Sequence, residues 1–273
     1  MTHPRIEWSF DPAILVAIGA LCGVYVWRFR AARREAGGRG AGWRQALAFS
    51  GAVFALLAAL VSPVDRLGEN YLFSAHMVQH ILIGDIAPLL LLLSLSRVIM
   101  RPATRRLTTI ERGLGPLASP VAFIGVWFAL LYLWHIPALY VAAIHHPLVH
   151  ALEHLCFFVA GVAVWWPLIQ PVPMRHRLSG LGTFAYIGGA KMGLAALGLF
   201  LTWSKTVAYG YYNHVPRIWG LTAIEDQNVG GAIMMVEQSL VLVTAFAILF
   251  VRMLLQSEEE ERRRERLEDA ATA

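Results

Sequence analysis

His76 and His80 stand four residues apart near the start of "SAHMVQHILIGDIAPLLLLLSLS", residues 74–96. Four residues is little more than one helical turn, so both imidazoles share a face and can reach one metal ion. His146, His150 and His154 repeat that spacing, with Glu153 on the same side, and His135 lies between the two groups in sequence. A lone HxxxH is a weak signal, since a single buried histidine is more often a hydrogen-bonded structural group. Two such groups plus His135 favour ligation of a metal or cofactor. Imidazole suits zinc, copper and iron alike; thioether sulfur favours Cu(I). Met77 shares a face with His80, and Met234 and Met235 come much later in the chain.

The elements that must position these groups are apolar. Of 273 residues, 57% are hydrophobic and only 15% charged, well below the quarter usual in a soluble domain. Seven runs long enough to cross ~30 Å of hydrocarbon recur, at about 13–29, 46–62, 72–95, 118–136, 148–169, 183–203 and 230–254. Backbone polar groups in lipid must be satisfied within the chain, so helices are the expected spans. The expected fold is all-α: a polytopic bundle of seven transmembrane helices forming one domain over residues 1–273. "MTHPRIEWSFDP" lacks the basic stretch of a signal peptide, and the first span is expected to be retained. Cys22 and Cys156 fall within predicted spans, form no CxxC pair and read as packing residues.

The arginines orient the bundle. Residues 28–44 hold six, residues 96–113 five, Arg175 and Arg177 follow, and five more run from Arg252 to Arg266. The alternate connections hold Arg5, Arg66, Lys205 and Arg217 alone. The positive-inside rule then puts the N-terminus outside and the C-terminus in the cytoplasm. The formal charge of +5 is a topology signal, with no nucleic-acid footprint in it. The tail, residues 256–273, reads as a cytoplasmic solvated helix, with Glu258 to Glu260 four residues before Arg262 to Arg264. Nine of the ten histidines fall on the outer side in this arrangement, His3 among them, and only His176 does not. The longest connection is expected at 204–229, on that same side.

Asp85, Glu153, Lys191 and Glu237 lie inside predicted spans, where ionisable groups face the bundle interior and find partners. Asp85 and Lys191 lie at similar depths, ~20 Å from the outer ends of their spans by the helical rise. They are expected to pair, either as a structural ion pair or as the polar floor of a metal site or proton path. Glu153 and Glu237 are shallower and are expected nearer the histidines, as direct ligands or their supports.

Four ordered segments, "HMVQHILIGDIAPLLLL", "LWHIPALY", "HALEHLCFFVAGVAVWWPLI" and "WGLTAIEDQNVGGAIMM", resemble the signature segments of the CtaG family. These are bacterial multi-span membrane proteins associated with cytochrome c oxidase assembly and copper handling. The resemblance spans roughly residues 45–255. It implies functional roles for His76, His80, His135, His150 or His154, the Asp226–Gln227 pair and Met234. It also implies location in the bacterial cytoplasmic (inner) membrane and oxidase subunits as partners. The chain departs from the family pattern in having only Pro88 where two prolines are frequent, and Met235 where a tryptophan is usual.

The leading expectation is a non-catalytic assembly factor that binds copper at the outer face and helps an oxidase acquire its copper centre. A haem-binding cytochrome with bis-histidine ligation is the alternative, using His76 or His80 opposite His150 or His154. A di-iron hydroxylase is a weaker one, since it needs HxxHH boxes and His145–His146 lacks the upstream member. No phosphate loop or Ser-His-Asp spacing points to a soluble enzyme.

Overall fold

The structure, a computed structural model, describes residues 7–178 and 180–272, the side chains of Arg252, Ala271 and Thr272 excepted. His3, Arg5, the side chain of Arg252 and the last residue of the charged tail lie outside the described residues. Every regular element among the described residues is helical.

Among the described residues, six helices are long and apolar enough to cross a bilayer. They are α1 (Pro12–Ala36), α2 (Trp43–Leu60) continued by the short α3 (Pro63–Asn70), the broken helix Phe73–Ser94, α9 (Pro147–Ile169), α10 (Leu181–Trp203) and α11 (Ala223–Thr272). The run expected to span at 118–136 forms α7 (Pro120–Trp134), which at 15 residues is ~22 Å long and shorter than the hydrocarbon core. Its limits follow from local chemistry. Ser119 accepts the Ala122 amide at the N-terminus, and Pro137 opens a new helix, α8 (Pro137–His145), just past the other end.

The basic connection before α7 is helical rather than loop. α6 (Arg97–Leu114) starts where the Ser96 hydroxyl accepts the Ile99 amide, and meets α7 through a 3₁₀ turn with a bend of 73°. Pro102, inside α6, cannot donate to the Val98 carbonyl four residues back. Arg28 of α1 supplies the missing donor, bonding Val98 O at 3.2 Å and Ile99 O at 3.1 Å. Only when α6 and α7 are counted together does a seventh span appear.

The broken helix is the centre of the bundle. It consists of α4 (Phe73–Ile81), one π-helical turn (Leu82–Ile86) and α5 (Ala87–Ser94). In the wide turn the Ala87 amide donates to Leu82 O, five residues back. Pro88 gives the cause: it has no amide for the Gly84 carbonyl, and its ring would press on that carbonyl in a regular α-helix. The widened turn fits against α9 because Gly161 has no side chain; a Cβ there would sit 2.0 Å from Gly84 O and 2.8 Å from Pro88 Cγ. α10 and α11 approach closely by the same means at Gly198 and Gly231, the small-residue packing of membrane helices.

The long connection is shorter than expected, because α11 begins at Ala223 and not near residue 230. Thr222 and Glu225 form a reciprocal cap: the Thr222 amide donates to Glu225 Oε2 at 2.8 Å and the Glu225 amide to Thr222 Oγ1 at 3.3 Å. Asp226 and Gln227 therefore stand on a helix. α11 continues through the charged tail, where Glu258 and Arg262 pair at 3.6 Å as i,i+4 neighbours.

Candidate metal centre

α4 carries His76 and His80 and is fixed at its N-terminus from elsewhere in the chain. Leu72 precedes it and offers no capping side chain. The Asp226 carboxylate of α11 takes that role, accepting the Phe73 amide at 2.6 Å and the Ser74 amide at 3.1 Å. Gln79 donates to Ala59 O at 3.0 Å and to Asp65 Oδ1 at 2.8 Å, which fixes the rotation of α4 against α2 and α3. Gly68 lets α3 lie against the backbone of His76, where a Cβ would meet His76 N and Cα at 3.0 Å.

With α4 so held, its histidines turn toward α9. Ring centroids lie 4.1 Å apart for His76–His80 and for His150–His154, 5.5 Å for His76–His150, 5.7 Å for His80–His154 and 6.2 Å for His80–His135. Glu153 comes up from α9 between them, its Oε1 3.7 Å from His80 Nε2. One donor atom each from His76, His80 and Glu153 lies within 4.8 Å of the others. His76 and Glu153 are completely buried, and His80, His135 and His150 nearly so.

The hydrogen bonding of these groups is incomplete. Both ring nitrogens of His76 and of His80, both oxygens of Glu153, and Nε2 of His135, His150 and His154 are buried without a hydrogen-bond partner among the described residues. Each such group costs about 1–3 kcal/mol if nothing meets it. Two of the rings are oriented from behind: His135 Nδ1 bonds Leu131 O at 2.7 Å, and His150 Nδ1 lies 3.2 Å from Glu69 Oε1. Both keep Nε2 for another partner, the arrangement in which a ligating histidine is fixed by its second nitrogen. The donor set of imidazoles with one carboxylate fits zinc, copper or iron. Met234 and Met77 line a cavity of about 20 Å³ together with His80, His135 and Asp85.

Asp85 belongs to a second polar group. Lys191 pairs with Asp85 Oδ2, Trp165 Nε1 donates to Oδ1 at 2.5 Å, and Gln238 Nε2 donates to Oδ2 at 3.2 Å. The Lys191 ammonium also sits 4.7 Å from the Trp165 ring centroid. Glu237, expected nearer the histidines, lies instead with this group, bonded to the Gln238 amide. The reason is its place on α11, one residue before Gln238, on the part of the helix that faces Asp85 rather than α4. Gln227, on the first turns of the same helix, fastens the connection: it accepts the Ala208 amide at 2.7 Å and donates to Thr206 O at 3.2 Å.

An aromatic layer over the histidines had no signature in the sequence. Tyr140 packs 5.1 Å from the His76 ring, and Phe73, Tyr140, Tyr209 and Tyr212 stack on one another, all buried. Tyr212 donates to Gly68 O at 2.9 Å, so the 3.0 Å bond between the two hydroxyls must run from Tyr140 to Tyr212. Tyr209 donates to His135 O at 3.2 Å. Burial pushes the Tyr209 and Tyr212 phenols up from their ordinary range, so they stay protonated and serve as donors, not as anionic ligands. Glu69 was equally hidden; its link to His150 joins distant parts of the chain.

Fold and site together define a class: a helical protein of bilayer-length apolar helices that encloses a buried histidine–carboxylate cluster. Residues 23–256 match the profile of the cytochrome c oxidase caa3 assembly factor family (Caa3_CtaG), and the chain belongs to that family. The resemblance read from the four segments is thereby borne out. Among curated proteins the chain is 26% identical over 280 residues to an uncharacterized protein of Mycobacterium bovis and equally to one of Mycobacterium tuberculosis. Each match covers 96% of this chain but 42% of the relative, so the chain spans about two fifths of the length of the curated relatives it matches. No solved structure matches.

Proposed function

We propose that this chain is a non-catalytic assembly factor for cytochrome c oxidase that binds copper as cargo through its histidine cluster and aids formation of a copper centre. The carrying observation is the convergence of five imidazoles and Glu153, most of whose donor atoms are buried and unpartnered. His76, His80 and Glu153 would hold the ion, with His135, His150, His154 and Met234 within the same enclosure as further or exchanging ligands. Asp226 holds α4 for that purpose, and Gln227 fastens the connection above it. The Asp85–Lys191 group with Glu237 is a polar floor. Family membership supports the oxidase as partner, and the six apolar helices support a multi-pass protein of the bacterial cytoplasmic membrane.

In this reading the chain forms a single domain that crosses the bilayer seven times, α7 with the turn before it giving the fourth passage and the arginine-rich α6 lying on the cytoplasmic side. The N-terminus faces out and the tail at 256–273 faces the cytoplasm, a reading that the arginine distribution supports. Copper is favoured over haem by space: the cavity beside His80 and His135 is about 20 Å³, and packed aromatic rings surround the cluster.

The test is metal analysis and an absorption spectrum of the purified protein, beside a variant with both His76→Ala and His80→Ala. The expected result is copper without a Soret band in the wild type, and a folded variant with its copper lost. Since two of three close donors are gone, affinity should fall by at least ~100-fold. A Soret band, or equal copper in both proteins, would overturn the reading.

A further inference from the structure

A cavity of about 690 Å³ opens at the surface beside the cluster, lined by Glu7, Arg66, Asn70, Tyr71, Tyr211 and His214. The wall between this cavity and the histidines is thin. Arg66 and Asn70 flank Glu69 on α3, and the Glu69 carboxylate points two ways. Its Oε2 lies 3.5 Å from Arg66 Nη1 on the cavity wall, and its Oε1 lies 3.2 Å from His150 Nδ1 inside. The Glu69 side chain is 26% exposed, against 8% for His150. Tyr211, another wall residue, donates to Glu69 O at 2.8 Å, and its ring lies 5.4 Å from the exposed His145.

From this bridging position we infer that the cavity is the entry vestibule for the metal and that Glu69 is the carboxylate through which the ion passes to His150. The inference rests on the metal reading given above. A cation entering the cluster must shed water in steps, and a partly exposed carboxylate next to the first buried imidazole supplies an intermediate ligand. Arg66 competes with the ion for the same carboxylate, so the Arg66–Glu69 pair keeps the passage closed until a cation displaces the guanidinium. The pair is surface-exposed and therefore weak, as a displaceable contact must be. His150, held by Glu69 at Nδ1, offers the ion its buried Nε2 on the cluster side.

Two variants separate passage from support. Glu69→Gln keeps an amide oxygen that can still accept from His150 Nδ1, but removes the charge. Arg66→Ala leaves the charge and removes its competitor. The measurement is uptake of Cu(I) from a chromophoric chelator by the full-length protein in detergent, giving both a rate and a final stoichiometry. Glu69→Gln should slow uptake roughly tenfold with the final copper content unchanged, the scale on which local charge steers ions into a site. Arg66→Ala should speed uptake with the same final content. The route is overturned if either variant loads at the wild-type rate, or if Glu69→Gln loses rate and stoichiometry together, which marks a merely structural residue. Wild-type protein that takes up no copper overturns the metal reading itself, and the route with it.

Discussion

Asp85 accepts from an ammonium, an indole and an amide, so its charge is fully met inside the bundle. Truncating one member of such a pair leaves the other charge buried and alone, which costs about 3–5 kcal/mol. Asp85→Leu or Lys191→Met alone should therefore lower thermal stability sharply in detergent, whereas the double substitution should restore most of it. A double variant as unstable as the sum of the singles would show that the pair does more than cancel its own charges. This pair was legible in the sequence because depth in a span can be counted along a helix. The donors Trp165 and Gln238 were not legible, since nothing in their spacing marks them apart from packing residues. The same holds for the cluster. Its histidines announced themselves by type and i,i+4 spacing. Glu69 and Tyr140 join it only through contacts between distant segments, and Glu237 was misassigned because depth alone does not give the direction a helix face points.

Among the elements, the broken helix and α9 are bound to each other by the lack of a side chain at Gly161. Gly161→Ala would push a methyl into Gly84 O and the Pro88 ring, neither of which can swing away. Overpacking of this kind costs about 1–3 kcal/mol. The variant is expected to unfold at lower temperature and to bind copper more weakly, because α4 carries His76 and His80 while α9 carries His150, Glu153 and His154. Unchanged unfolding temperature and copper affinity would mean that the two helices part without consequence. The apolar runs foretold most of these helices, yet two limits were missed for definable reasons. The arginines of α6 suggested loop, whereas they are the wet side of an amphipathic helix with Ile99 buried. The start of α11 was set too late, although "TAIE" carries the capping signal of Thr222 and Glu225 in plain view.

For the whole molecule the question is which way it sits. Single cysteines placed at 37–39 and at 104–108 should be labelled by an impermeant maleimide only after the membrane is opened, and one placed at Asn213 should be labelled in intact cells. The reverse pattern would put the histidine end of the bundle in the cytoplasm and end any role in receiving copper from outside. The arginine asymmetry that motivates this was the strongest global signal in the chain. The helical class also followed from composition, because lipid leaves the backbone few choices. What composition could not supply is the count of crossings, since α7 is apolar enough but short and turns away from α6 by 73°.

The single wide turn at Leu82–Ile86 acts as a phase offset. In an unbroken α-helix, five residues at 100° each would leave Asp85 about 140° around the axis from His80, so one of them would look away from the bundle. With the offset, both line the same small cavity, one above the other. One rod thereby addresses two polar chambers at different depths. Because the two are joined through that turn, the rotational setting of the histidine end also sets where the carboxylate below it points.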